Sequence, residues 1–185
     1  MAALPDWLPA GPIELRACQL EHLDAVMAAI EMSHTELARW LPWADPMPSR
    51  QFERDFIIGN MASFDADEKW GYFLFEPETG ELVGSSGLWR RGDGRFEIGY
   101  WVRSDRTGRG YATAAAGALT AAAFKYLPEA EWVVIRMDQA NGPSAAVPPK
   151  LGYLLEGEDP VREVEAPGQT GQGWIWAKAR CSPED

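Results

Sequence analysis

In the first third of the chain, apolar residues recur every three or four positions. Leu20, Leu23, Val26, Met27 and Ile30 keep this helical spacing, and Thr35-Glu36-Leu37-Ala38-Arg39-Trp40-Leu41 reads as a second helix that Pro42 stops. A third helix is expected from about Arg50 to Ser63, capped by Ser49 and burying Phe52, Phe56, Ile57 and Met61. Ahead of these, Pro5, Pro9, Gly11 and Pro12 predict that residues 1–12 are irregular and that the fold starts at a short strand, Ile13 to Arg16.

The period then changes from 3.6 to 2. Trp70 to Phe75, Glu81 to Trp89 and Arg95 to Arg103 read as three strands of an antiparallel meander, joined at Pro77-Glu78-Thr79-Gly80 and Gly92-Asp93-Gly94. Tyr111 to Tyr126 holds eight alanines in sixteen residues and presents Tyr111, Ala115, Ala118, Leu119, Ala122 and Tyr126 on one side. Such a small-residue helix can lie close against a sheet. Trp132 to Met137 is nearly continuous in apolar residues, as a buried strand parallel to its predecessor is, so Arg95 to Met137 reads as a right-handed strand–helix–strand crossover. A short helical turn is expected near Pro143 to Val147, and strands at about Tyr153 to Val164 and Gly173 to Ala179.

The 185 residues suit one domain, spanning 13–180 with a tail at 181–185, large enough to bury roughly 70% of its unfolded surface without staples. With 17 Lys+Arg against 28 Asp+Glu the formal charge is −11, which argues against nucleic acid as partner and favours cationic ones. Cys18 and Cys181 are the only cysteines, too few for a disulfide framework or a thiolate zinc site, and His22 and His34 have no metal-ligand companions. No window is apolar enough to span a membrane, and no basic segment precedes an apolar one at the start. The expectation is a cytoplasmic protein without metal or membrane partner.

Arg106-Thr107-Gly108-Arg109-Gly110-Tyr111-Ala112 lies where a strand ends and a helix begins. Its glycines permit a turn whose amides point one way, and the helix start adds partial positive charge, so the loop can cradle a pyrophosphate. It lacks the Gly-Lys-Ser/Thr of a nucleotide P-loop, and Thr113 stands where a dinucleotide fingerprint needs its third glycine. Taken alone, the loop is equally an ordinary turn.

Three segments in order change that reading: Glu97-Ile98-Gly99-Tyr100-Trp101-Val102-Arg103, the loop Gly108-Arg109-Gly110-Tyr111-Ala112-Thr113, and Asn141-x-x-Ser144-x-x-Val147-x-x-Lys150-Leu151-Gly152-Tyr153. With Leu37-x-x-Trp40-Leu41-Pro42-Trp43 and Leu82-Val83-Gly84, they resemble the GNAT acetyltransferase superfamily, in its RimJ/RimL-like branch, over about Ile13 to Ala179. The resemblance implies an α/β fold of the α+β type: a mixed, mostly antiparallel sheet of about six or seven strands, splayed between the fourth and fifth and flanked by helices. It implies acetyl-CoA as cosubstrate, held by Trp101, Val102 and Arg103 of the strand, by Thr107, Gly108, Arg109, Gly110, Tyr111 and Ala112 of the loop, and by Asn141, Ser144 and Lys150. Arg103, Arg106 and Arg109 would offer a local basic cluster to its phosphates.

Acetyl transfer by direct attack needs a neutral amine, a donor to the thioester oxygen and a proton for the leaving thiolate. Strand alternation puts Glu97, Gly99, Trp101 and Arg103 on one face, opposite Phe96, Ile98, Tyr100 and Val102. Glu97 therefore matches the family's amine-deprotonating glutamate, and equally suits a structural carboxylate. Ser144 matches the family serine near the sulfur, as proton donor or as a helix cap. Tyr153 reads as packing. Three features depart from the family: Thr107 at the loop's first position, Ala114, and Pro148-Pro149, which should shorten the helix before Lys150. They keep a catalytically silent acyl-CoA sensor open as the alternative. Trp40 and Trp43 would wall the acceptor groove, with Trp174 and Trp176 opposite, suiting a cationic amine such as a protein N-terminus, an aminoacyl nucleotide or an antibiotic. Relatives commonly pair, which leaves a homodimer open.

Overall fold

The computed structural model describes residues 3–159 and 163–181. Eight strands form one sheet: β1 (Trp7–Ala10), β2 (Ile13–Ala17), β3 (Lys69–Phe75), β4 (Leu82–Gly92), β5 (Arg95–Val102), β6 (Trp132–Asp138), β7 (Leu154–Asp159) and β8 (Gly173–Ala179). Their order is β1-β2-β3-β4-β5-β6-β8-β7, and every neighbouring pair is antiparallel except β5 with β6. Four α-helices accompany it: α1 (Leu23–Trp40), α2 (Arg50–Asp65), α3 (Tyr111–Tyr126) and the single turn α4 (Gly142–Ala145).

Alternation along the strands divides the apolar residues between two cores. Tyr72, Leu74, Phe96 and Ile98 join Ala115, Ala116 and Leu119 of α3 on one face. Phe73, Phe75 and Leu82 meet Val26, Ile30 and Leu37 of α1 and Ile57 of α2 on the other. α3 has the bounds its pattern predicts. Its buried side is wider than expected, adding Ala116, Thr120 and Ala123, because alanines on either flank can also approach the sheet. Tyr153 packs there, its hydroxyl 2.6 Å from Thr120 Oγ1, which donates to the Ala116 carbonyl.

Four expectations are corrected. Residues 1–12 contain β1, paired with β2; as an edge strand it tolerates Pro9, whose missing N–H costs no ladder bond on the open side. The two short helices are one, α1, because nothing between Leu23 and Trp40 breaks the ladder, and it stops at Leu41, which proline 42 holds extended. The buried side of α2 runs Glu53, Ile57, Asn60, Phe64, whereas Phe52 and Phe56 are 49% and 41% exposed. Ser49 caps this helix as predicted, accepting from Phe52 N. β7 ends at Asp159; residues 160–162 of the strand expected there lie outside the described residues, as do 182–185 of the expected tail.

The feature that positions the site is the end of the one parallel pairing. β5 and β6 are in register from Arg95↔Trp132 to Ile98↔Ile135, and beyond that point they part. From Gly99 to Val102 the β6-facing backbone edge of β5 is open.

Candidate active site

A cleft of about 700 Å³ lies at this opening, lined on one side by Tyr100, Trp101 and Val102 and on the other by Asn141, Ser144 and Lys150. Thr107, Gly108, Gly110, Tyr111 and Ala112 form its end. Gly108 and Gly110 have φ of +76° and +81°, with nothing within 4 Å of where a Cβ would stand. Gly110 caps α3 from the left-handed region without a side-chain hydrogen bond, so the first amides of α3 face the cleft side unclaimed by a cap. These features fit a bound pyrophosphate. Thr107 turns its hydroxyl to the Ser104 carbonyl (3.1 Å), so it steadies the loop.

The arginines are placed differently from expectation. Arg103 is buried, its guanidinium donating to Asp105, Glu81 and the Leu82 carbonyl, and its amide donates to the Val83 carbonyl at 2.8 Å. Neither its side chain nor its N–H is left for a ligand. Arg106 pairs with Glu76, Glu81 and Asp105, and Arg109 stands 3.6 Å from Glu76 outside the cleft lining. The three guanidiniums are thus paired with carboxylates of the β3–β4 turn and with Asp105; Arg103 and Arg109 stay off the cleft wall, whereas Arg106 keeps a place in the cleft lining beside its carboxylate partners. Tyr111 joins the cluster by donating to Glu76 Oε1, a bond that holds the Glu76 carboxyl below its usual range. Sequence spacing showed the three cations but not the three anions folded against them.

Tyr100, with Leu41, lines the cleft, the splay beyond it and the neighbouring pocket alike, and of the two it is the one that carries a polar group. Its hydroxyl donates to the Ser144 carbonyl at 3.1 Å and lies 3.3 Å from Ser144 Oγ. Burial pushes its pKa up to about 12, so it remains protonated at neutral pH. Asn141 Oδ1 accepts from Ser144 N (3.2 Å), fixing the turn that carries the serine. Pro148-Pro149 does shorten this region: α4 is one turn, followed by a 3₁₀ turn at Pro148–Leu151, yet Lys150 still lines the cleft.

Glu97 lies on the predicted face but is engaged elsewhere. Its carboxylate accepts from Arg91 Nε at 2.7 Å and is 3.6 Å from Arg136 Nε. The Trp89 indole covers Gly99, the next position on that face toward the opening; a Cβ there would meet the ring at 2.7 Å. Glu97 is absent from the linings of the cleft, the splay and the pocket. The carboxylates that reach the splay are Glu163 and Glu165, both exposed, and Asp138, which accepts the Ala140, Thr170 and Gly171 amides.

Trp40 and Trp43, expected to wall an acceptor groove, both border openings beside the cleft. Trp40 lines both cleft and splay, and Trp43 lines a separate pocket, its ring 6.4 Å from that of Trp101. Trp174 does not reach these openings: with Trp176 it packs against the core, and the opposite wall is made by Glu163, Glu165 and Gln169. A side chain of the pocket that pattern reading missed is Glu53, whose place follows once the helix phase is set by Ile57 rather than by Phe52 and Phe56. Buried and without a hydrogen bond, it has its pKa pushed up to about 7 by desolvation.

No helix among the described residues is long and apolar enough to cross a membrane. Residues 13–154 match the family described as the Acetyltransferase (GNAT) domain. The Bacillus subtilis (strain 168) protein YdaF, whose name assigns it provisionally to the ribosomal N-acetyltransferases, is 30% identical over 148 residues, covering 79% of this chain and 80% of YdaF. Among solved structures, the ribosomal L7/L12 α-N-protein acetyltransferase RimL in complex with coenzyme A superposes with a TM-score of 0.84 at 22% identity, over 94% of this chain and 97% of that one. The microcin C7 self-immunity acetyltransferase MccE, in complex with acetyl-CoA and AMP, gives 0.82 at 19% identity, over 92% and 93%. A glycine cradle at the start of α3, a sheet splayed beside it and a family match across both establish that this chain belongs to the GNAT acetyltransferases.

Proposed function

We propose that this chain moves an acetyl group from acetyl-CoA to a primary amine, by direct attack at the splay between β5 and β6. The observation that carries this reading is the placement of Tyr100 and Ser144 where the phosphate-cradling cleft meets the acceptor-side openings. Bound in the cleft, the coenzyme would supply the activated acetyl group. Gly108, Gly110 and the first turn of α3 would hold its pyrophosphate, Lys150 would face its charge, and the open edge of β5 would offer backbone groups to its arm. RimL and MccE, similar in fold, form complexes with coenzyme A and acetyl-CoA respectively, which supports the assignment.

The two hydroxyls would work as a pair. Tyr100 orients Ser144 and keeps its own proton, so either can give a hydrogen bond or a proton to the departing thiolate. Ser144→Ala and Tyr100→Phe are each expected to lower kcat by about 10²-fold while leaving the KM for acetyl-CoA nearly unchanged, since a proton donor acts in the transition state. Steady-state thiol-release kinetics read both constants. A rise in KM at constant kcat would make the pair a binding contact only.

Exposed Glu163 and Glu165 would draw a cationic amine to the splay, and its proton can leave through the same mouth. Glu97 would have a structural part here. Glu97→Gln is expected to change turnover by less than about 10-fold, where loss of a general base would cost about 10²–10⁴-fold. A loss of that larger size, with the melting temperature unchanged, would return Glu97 to the mechanism. The binding half of the proposal is tested by melting: acetyl-CoA at about 100 times its Kd should add about 2.7 kcal/mol of stability. No shift at any concentration would refute it. A shift without turnover of any amine would favour the silent acyl-CoA sensor.

A further inference from the structure

A cavity of about 360 Å³ opens beside Tyr100 and runs under α1 and α2, away from the coenzyme cleft. Its walls are aromatic, with Trp43, Phe52, Phe56, Trp89 and Trp101 among them. Phe52 and Phe56 stay half-exposed on α2 while Glu53, between them in sequence, is only 4% exposed. A helix normally buries the opposite choice. The floor is made by Gly71, Gly87 and Gly99, which are in register across β3, β4 and β5. Bare backbone there lets the Asn60 side chain lie on Gly71 and the Trp89 indole on Gly99; a Cβ would meet them at 2.4 and 2.7 Å.

Glu53 stands toward the β3 end of this floor, close enough to Cys18 for its charge to raise that thiol, while Cys18 N bonds to the Gly71 carbonyl. Among the described residues its carboxyl has no hydrogen bond and no ion pair; Lys69, the pocket's other charged residue, rests instead over the Phe56 and Trp89 rings, 5.1 and 6.0 Å from their centroids. A buried carboxyl left in this state is costly unless something arrives to pair with it. Flat aromatic walls prefer a planar or cationic guest. Two strand spacings, about 10 Å, separate the β5 edge from the β3 end, the reach of one ring and a short linker.

We propose that this pocket takes the far end of the acceptor, and that the acceptor is a small primary amine on a flat aromatic ring whose distal edge carries basic N–H donors for Glu53. The proposal rests on acetyl transfer at the splay. The amine then lies at Tyr100, the ring between Trp43, Phe56 and Trp89, and the charged edge against the carboxylate. Glu53 is a specificity residue here, too far from the splay to take the amine's proton.

Benzamidine tests the pocket without chemistry, having a flat ring and a basic N–H edge but no nucleophilic amine; benzamide is its neutral counterpart. Lys69 and Cys18 also border the site, so both ligands are titrated calorimetrically into the same chain at pH 8. Wild type should bind benzamidine at least about 10-fold more tightly than benzamide, the worth of a hydrogen bond to a charged group, and Glu53→Gln should lose that preference. 4-(2-aminoethyl)benzamidine should also release thiol from acetyl-CoA with a kcat/KM at least about 10-fold above that of phenethylamine. Equal binding of the two probes, no binding, or a preference kept in Glu53→Gln overturns the proposal. If simple amines are acetylated in that case, the enzyme reading stands and only the pocket assignment falls. Glu53-dependent benzamidine binding with no amine acetylated overturns the acceptor assignment together with the reading beneath it.

Discussion

Gly84→Ala should lower the melting temperature by roughly 2–12 °C, from an overpacking cost of about 1–3 kcal/mol at about 2–4 °C per kcal/mol. A Cβ at this position would stand 2.3 Å from the Trp101 carbonyl oxygen and 3.1 Å from Val102 Cα. Both are backbone atoms, so no rotamer change relieves the contact and the strands themselves must move. Gly84 pairs with Val102 across β4 and β5, and Trp101 and Val102 line the coenzyme cleft, so the displacement falls on the cleft wall. The variant should therefore also bind acetyl-CoA more weakly, seen as a smaller thermal shift. Gly87→Ala, on the same strand, gives the contrast: its Cβ would come no closer than 3.4 Å to any neighbour and should cost less than about 1 kcal/mol. Equal melting of the two variants would contradict the close approach of β4 and β5 at Gly84.

The second large effect has the opposite sign. Glu53→Gln should stabilise the protein at alkaline pH, with the gain vanishing in acid. Burial raises the Glu53 pKa from its ordinary 4.5 to about 7, so the folded chain binds this proton more tightly than the unfolded one. Folding then takes up a proton between those values, and stability falls as pH rises through the window. Above pH 7 the cost of the unpaired charge is present, at most about 3 kcal/mol and less by the screening of water reaching it through the pocket. Glutamine is neutral and nearly isosteric with the protonated carboxyl, so the two chains should melt close together near pH 4.5 and diverge up to pH 8.5, glutamine higher. Cys18 and Lys69 border the same pocket, and burial pushes the thiol up and the ammonium down; the Glu53 charge adds to the thiol's rise, but burial is its larger cause and keeps it protonated across this range in both chains. Melting curves across that range measure the difference directly. A gap independent of pH would mean that Glu53 has a partner or is solvated.

Much of the fold is legible in the sequence because its signals are local. α3 is bounded by Gly110 and by Leu127-Pro128, and β6 is a continuous apolar run, so each can be read without its neighbours. The glycine cradle is legible for the same reason. What stayed hidden depends on partners distant in sequence. Arg103 and Arg106 look like phosphate ligands until Glu81, some twenty residues earlier, folds against them. Glu97 looks like a base until Arg91 returns across the β4–β5 turn and Trp89 lies over Gly99. Trp174 looks like a groove wall until Glu163, Glu165 and Gln169, from the segment that precedes β8, take that place. The phase of α2 fails for a different reason. Burying two phenylalanines is the favourable guess for an isolated helix, and this helix instead turns Glu53 and Asn60 inward beside an open pocket.

The central claim is tested most directly by measuring free thiol released from acetyl-CoA, with and without amine, over N-terminal peptides, polyamines, aminoglycosides and ring-bearing amines, with the acetylated product identified by mass. Saturable, amine-dependent release with the acetyl group found on the primary amine is the expected result. Acetyl-CoA binding with no release from any of these amines would contradict it.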